Sequence, residues 1–140
     1  MISKKAKYAL KALKVLAEAY QEKRPILISY IAEKENIPKK FLEAILLELR
    51  NQGILQSQKG KGGGYILRLA PADISFAKVL RMIDGPLAPT LCVSLFFYGK
   101  CDDCQSEQTC TLRNVMEQWR DANLAVLEQK TLADLVLEAD

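Results

Sequence analysis

The residues best equipped for chemistry in this chain are four cysteines, Cys92, Cys101, Cys104 and Cys110, which all fall within one stretch of nineteen residues in a chain of 140. Eight residues separate the first two, two the middle pair and five the last pair. Thiolates bind soft metal centres and iron-sulfur clusters, and two cysteines spaced by two residues reach adjacent ligand positions from one turn of backbone. Zinc, a reversible disulfide switch, or no cofactor at all are the competing uses of such a loop. Asp102, Asp103 and Glu107 lie among the thiols. Their charge is expected to raise the thiol pKa values and blunt the thiols as free nucleophiles, which favours a metal over bare redox chemistry. The chain has no histidine, so imidazole ligation and histidine acid-base catalysis by it are excluded. No nucleophile-base constellation is visible, and an enzyme is not expected.

A chain of this length, 49% apolar, can bury a core as one ordinary domain or a domain with an appendage. It has no uncharged apolar run long enough for a membrane span, and its lysine-rich start lacks the apolar centre of a secretory signal. A cytoplasmic protein is expected, and in that reducing compartment clustered cysteines serve as ligands or redox thiols rather than structural disulfides. Charge is divided along the chain. Residues 1–68 carry 14 Lys/Arg against 6 Asp/Glu, a net +8, whereas residues 69–140 carry 6 against 11, a net −5. One half suits a polyanion, the other something else.

The elements that must position these residues follow from periodicity. Residues 3–22 read as a helix capped by Ser3, with Tyr8, Ala9, Ala12, Leu13, Leu16, Ala17 and Tyr20 along one face and Lys4, Lys7, Lys11 and Lys14 on the other. Pro25 breaks the pattern, Ile26–Ile28 is a short strand candidate, and Ser29 offers the cap of a helix running to about Glu35. A third helix is expected from Pro38 to Gln52, burying Phe41, Leu42, Ile45, Leu46 and Leu49 and stopped by Gly53. Two helices joined by a tight turn, the second opening on Lys39 and Lys40, form a helix-turn-helix pattern.

Ile54–Gln58 and Tyr65–Leu69 read as two strands around the tip Lys59-Gly60-Lys61-Gly62-Gly63-Gly64. After a recognition-type helix, such a basic, glycine-rich hairpin is a wing able to lie against a phosphate backbone or within a minor groove. The fold class is therefore mainly α with a small β-hairpin wing. Residues 1–84 form a winged helix-turn-helix that includes a short helix from Phe76 to about Asp84, residues 85–110 a cysteine-bearing loop, and residues 111–140 a long helix and tail. That helix, from about Thr111 to Gln129, carries Leu112, Val115, Met116, Trp119, Ala122, Val126 and Leu127 as one stripe. Nineteen helical residues span about 28 Å, more than a small winged helix covers, so a second copy is the expected partner.

Together Ser3–Ala9, Ile37–Glu43, Leu49-Arg50 and Gly60–Tyr65 resemble the Rrf2 family of bacterial winged-helix regulators, which includes IscR, NsrR and CymR, over essentially the whole chain. The resemblance implies a cytoplasmic, homodimeric, DNA-binding transcription factor with a C-terminal dimerisation helix and, in many members, an iron-sulfur cluster in the preceding loop. It places Lys39, Lys40, Phe41 and Glu43 at major-groove edges and Lys59 and Lys61 in the wing. Glu43 would accept from a cytosine amino group, while Lys4, Lys5 and Lys7 would meet phosphates. Cluster-bearing relatives use three cysteines, the last two five residues apart, a step that Cys104 and Cys110 reproduce. The chain departs from them at the fourth ligand. Arg113 stands where some relatives have histidine, and Tyr8 where others have a carboxylate, so Cys101 is the candidate replacement.

The expected function is thus operator recognition by a regulator that senses redox, iron-sulfur or nitric-oxide status through a cluster (2Fe-2S or 4Fe-4S). The alternatives are a cluster-free repressor of the cysteine-metabolism kind, a zinc or thiol switch, and an electron-transfer or cluster-carrier protein whose basic half docks an acidic partner.

Overall fold

A computed structural model describes residues 2–138. It contains the helices α1 (Lys4–Glu18), α2 (Ile28–Glu35), α3 (Lys39–Asn51), α4 (Phe76–Asp84), α5 (Thr111–Gln129) and α6 (Leu132–Glu138), with strands β1 (Leu55–Gln58) and β2 (Gly64–Leu67) between α3 and α4. Short 3-10 turns occupy Pro71–Asp73 and Leu91–Val93. This is a winged helix-turn-helix followed by a long C-terminal helix, as the periodicity predicts.

Ser3 caps α1 by accepting from the Ala6 amide at 3.0 Å, and its own amide donates to Asp84 at 2.9 Å, which ties the chain start to the end of α4. The helix is shorter than the expected 3–22. Ala19 is already its C-cap, and the Tyr20–Lys23 turn closes with Lys23 at φ 51°. Ser29 lies inside α2 rather than capping it. Leu27 is instead its N-cap, with no side-chain cap bond; the Leu27 carbonyl accepts directly from the Tyr30 and Ile31 amides. Asn36, at φ 54°, stops α2 in the left-handed region, which is open to asparagine at little cost. Pro38 then serves as N-cap of α3, one position outside its expected place in the first turn.

Leu42, Ile45, Leu46 and Leu49 of α3 are fully buried against α1. Phe41, expected beside them, is not: it remains 37% exposed, because at its position the helix face turns from the core toward the N-terminal end of α1. The strands pair antiparallel, Leu55 with Leu67 through Gln58 with Gly64. The expected Ile26–Ile28 strand survives as a single bridge from Ile26 to Tyr65. That bridge explains Gly64, since a Cβ there would collide with the Ile26 carbonyl.

After α5 the chain returns to the N-terminal unit. The Phe76 amide donates to Lys130 and the Leu132 amide to Ile74, and α6 packs on α1 with Leu132 fully buried in the common core. Most of that core lies among α1, α2, α3, α6 and the hairpin.

Candidate nucleic-acid interface and thiol loop

Lys39, Lys40, Phe41 and Glu43 all lie on the exposed side of the first turns of α3, set there by the burial of Leu42, Ile45 and Leu46 on the opposite side. Lys59 and Lys61 are exposed at the hairpin tip, within the same basic half of the chain. Lys4 and Lys7 are exposed on α1. Lys5 differs, because its ammonium pairs with Glu48 of α3 at 2.5 Å, so a phosphate would have to compete with that carboxylate. Phe41 meets the Tyr8 ring edge to face, with centroids 5.5 Å apart and planes at 77°, and the Lys4 ammonium lies 5.7 Å from the centre of the same Tyr8 ring. These three side chains join the start of α1 to the start of α3.

The wing glycines divide by role. Gly60 and Gly62 have positive φ and open space where a side chain would project, whereas at Gly63 a Cβ would collide with the Gln58 carbonyl. Part of the glycine run therefore serves the hairpin's own closure, and only part leaves the tip bare for a ligand.

The cysteine loop has little regular structure, and α5 holds it in place. Arg120 donates to the Val93 carbonyl at 2.8 Å and Arg113 to the Cys92 carbonyl at 3.4 Å. Arg113 also pairs with Glu117 at 2.8 Å, while its Nε is buried with no partner. Cys92 is buried beneath this clamp and its sulfur lies 3.2 Å from the Thr90 hydroxyl. Cys101 is exposed, Cys104 and Cys110 are intermediate, and all four thiols are free. The Cys104 amide donates to the Cys101 carbonyl at 3.1 Å, which is the turn that a two-residue spacing favours.

Lost solvation raises the Cys101 thiol above its ordinary range, and next in importance come the charge and hydrogen bonding of Cys92, then the charges of Cys104 and Asp103. Of the three carboxylates expected to raise the thiols, Asp103 does so at Cys101, as the last of these causes. Glu107 is instead engaged by the Tyr98 hydroxyl, a bond that is the first cause raising the Tyr98 pKa.

Cys92 and Cys104 thus act on the Cys101 thiol, but among the described residues no three Cys, Asp or Glu side chains are gathered closely enough to hold a metal ion. The donor chemistry fits a soft metal centre and the present spacing does not close around one. The residues at the two fourth-ligand positions of the relatives are engaged elsewhere within the chain. Arg113 is a cation spent on the Cys92 carbonyl, and Tyr8 packs on Phe41.

Sequence reasoning passed over the apolar run Leu95-Phe96-Phe97-Tyr98, which is exposed beside the thiols, with the Arg81 guanidinium 4.4 Å from the centre of the Phe96 ring. Four consecutive bulky residues inside a loop were the available signal. It also passed over a cleft of about 710 Å³ between α4, the 86–89 segment and α5, lined by Leu80, Leu87, Trp119 and Val126 among others. No signal in the sequence marks that cleft, which depends on tertiary placement.

Among the described residues no helix is long and apolar enough to cross a membrane. Residues 2–138 match the family model Rrf2, described as an iron-dependent transcriptional regulator. An rrf2-like HTH-type transcriptional regulator of Rhodobacter capsulatus is 43% identical over 138 residues, covering 97% of this chain and 92% of that protein. Among solved structures, that of CymR, the global cysteine regulator of B. subtilis, superposes with a TM-score of 0.81 at 30% identity, covering 100% of this chain and 98% of the other. IscR of T. potens superposes with a TM-score of 0.78 at 27% identity, covering 100% and 88%. The thiol loop, the wing and the exposed start of α3 are therefore parts of a protein that belongs to the Rrf2 family of transcriptional regulators.

Proposed function

We propose that the chain is a homodimeric, operator-binding regulator in which the cysteine loop reports redox, iron-sulfur or nitric-oxide status to the DNA-reading unit. Residues 1–84 read DNA, 85–110 sense, and 111–140 supply the dimer helix and a tail, α6, that packs back on α1. The observation that carries this reading is the clamp of Arg113 and Arg120 on the Cys92 and Val93 carbonyls. Through it, any movement of the thiol loop acts on α5, the helix whose Leu112, Val115, Trp119 and Val126 are each more than half exposed. A second copy covering that stripe and the neighbouring cleft makes the loop a determinant of dimer geometry, and a ligand state that favours one geometry shifts operator affinity by linkage.

DNA recognition divides into two kinds of contact. Lys39, Lys40, Phe41 and Glu43 meet base edges, and the Glu43 carboxylate accepts from a cytosine amino group and repels a misplaced phosphate. Lys4, Lys7, Lys59 and Lys61 contact phosphates and set the salt dependence, with Lys5 joining once it leaves Glu48. An iron-sulfur cluster would be held by Cys92, Cys104 and Cys110, with Cys101 as fourth donor, and would supply an electron-accepting centre reactive toward oxidants and nitric oxide. For this chain's residues that requires Cys101 and Cys110 to close inward around the buried Cys92, while the clamp keeps Cys92 fixed.

Anaerobically isolated protein tests the sensor. Brown colour with visible absorption, lost in Cys104→Ala and Cys110→Ala, is expected; colourless protein carrying stoichiometric zinc defeats the cluster. A second reading is a cluster-free repressor of the CymR kind, favoured by the superposition on CymR over the whole chain. It predicts colourless, metal-free protein whose operator affinity is unchanged when the cysteines are replaced. For either reading, a Lys39→Ala/Lys40→Ala variant that binds promoter DNA as the parent does would remove the DNA-binding role assigned to α3.

A further inference from the structure

Six arginines are present, and four of them hold carboxylates: Arg24 with Glu22, Arg81 with Glu128, Arg113 with Glu117 and Arg120 with Asp121. The remaining two, Arg50 and Arg68, have no carboxylate partner among the described residues, and both line one recess at the base of the wing. That recess measures about 470 Å³ and is shared with Leu55, Gln56 and Ser57. The Arg50 guanidinium donates to the Ser57 hydroxyl at 3.4 Å. The nearby carboxylate on α3, Glu48, is taken by Lys5 at 2.5 Å.

Both guanidiniums spring from fixed backbone. Arg50 sits in the last turn of α3, where the helix dipole favours a cation, and the Arg68 amide donates to the Ile54 carbonyl at 2.9 Å. Two planar forks, a hydroxyl and an amide around an acid-free recess match the oxygens of a tetrahedral oxyanion, since guanidinium binds phosphoryl groups in bidentate fashion. We infer that Arg50, Arg68, Ser57 and Gln56 form a phosphoryl-binding site at the base of the wing, a reading that rests on the winged-helix assignment for its DNA arm alone.

Two sources supply that chemistry. One is the DNA backbone: β1, whose Leu55, Gln56 and Ser57 line the recess, ends at Gln58, next to the basic tip that begins at Lys59. A strand held by Lys59 and Lys61 at the tip would then pass the two arginines. The other is free inorganic phosphate or a phosphate-bearing effector that reaches the recess without DNA.

The test uses the full chain and its Arg50→Gln/Arg68→Gln variant. Because both side chains are exposed, the variant is expected to fold, and its thermal unfolding in chloride buffer checks this. Affinity for a mixed-sequence duplex is measured against salt, and thermal stability is measured against inorganic phosphate at constant ionic strength. A salt slope shallower by about 1 to 2 units in the variant assigns the site to the backbone. An unchanged slope with a phosphate-induced rise in Tm that the variant lacks assigns it to free phosphate. Equal slopes and equal phosphate responses overturn the site. A Lys59→Ala/Lys61→Ala variant in the same titration separates the two ideas: if it too leaves the slope unchanged, the phosphate contacts assigned to the wing fail, and the phosphate arm still decides the recess.

Discussion

Helices α3 and α5 share an amphipathic pattern and differ in what completes it. On α3, thirteen residues long, Leu42, Ile45, Leu46 and Leu49 are all buried within the chain. On α5, nineteen residues long, only Leu124 is buried, while Leu112, Val115, Trp119 and Val126 stand open. The loop before α5 is likewise held by side-chain-to-carbonyl bonds rather than by a core. The lesson is that one amphipathic pattern can end in two ways: on α3 the chain's own core completes it, and on α5 it leaves a stripe open, which in the proposed dimer a second copy would cover.

The comparison breaks most sharply by substitution on the two stripes. Leu46→Ala removes a fully buried side chain and is expected to cost about 2–5 kcal/mol in urea unfolding. Val115→Asp/Trp119→Asp is expected to leave the winged helix folded, with its dispersed amide spectrum retained, and to shift sedimentation from dimer to monomer. A double variant that unfolds as readily as Leu46→Ala, or that still sediments as a dimer, would erase the distinction.

Within the wing a smaller contrast separates structural from bare glycine. Gly64→Ala meets both a φ of 141° and the Ile26 carbonyl, so strain of about 1–3 kcal/mol plus the loss of the Ile26–Tyr65 bridge is expected. Gly62→Ala, with open space around it, is expected to cost only the backbone term of about 1–2 kcal/mol. Thermal unfolding of the pair measures the difference.

On the arm side, Arg120→Met removes the donor to the Val93 carbonyl, a charged hydrogen bond contributing about 1.5–3 kcal/mol where it is shielded from water. Since the loop adds little to the common core, most of that loss should be local. Hydrogen exchange is expected to speed up at Ser94 and Gly99, whose amides bond to the Leu91 carbonyl, with α3 amides unchanged. Faster exchange in α3 as well would mean that loop and winged helix unfold as one unit.

What the sequence made legible follows the same division. The bounds of α4 and α5, the Gly53 stop and the hairpin were readable because local periodicity and turn chemistry decide them. The end of α1, the backbone start of α2 and the exposure of Phe41 were not, because each depends on a neighbour: the 20–23 turn, the Leu27 carbonyl, and Tyr8. At the candidate site, residue types and spacing identified the thiols, but they could not order them by burial. Cys92 is buried and Cys101 exposed: Arg113 of α5, 21 residues later, donates to the Cys92 carbonyl, whereas the Cys101 carbonyl is taken by the local Cys104 amide.

The smallest effect expected belongs to the winged-helix side and concerns its surface. Lys34 of α2 and Glu18 of α1 pair at 2.9 Å with side chains 41% and 31% exposed. The hydrogen bond to Glu18 is the first cause holding the Lys34 pKa above its ordinary 10.5, opposed by desolvation. A lysine whose folded pKa is raised stabilises the fold while it is charged in both states. That contribution is complete below the unfolded value and disappears as pH rises through the folded one. Solvent screening limits it to less than about 1 kcal/mol. Lys34→Met should therefore be slightly less stable than the parent in urea at neutral pH and low salt. The gap should narrow in concentrated salt, where charges are screened within a few ångströms, and close at strongly alkaline pH. A gap that persists through both conditions would show that Lys34 stabilises the fold by packing its stem across Tyr30, whose ring centre lies 5.9 Å from the ammonium, and the surface of the winged helix would then resemble its core more than the open stripe of α5.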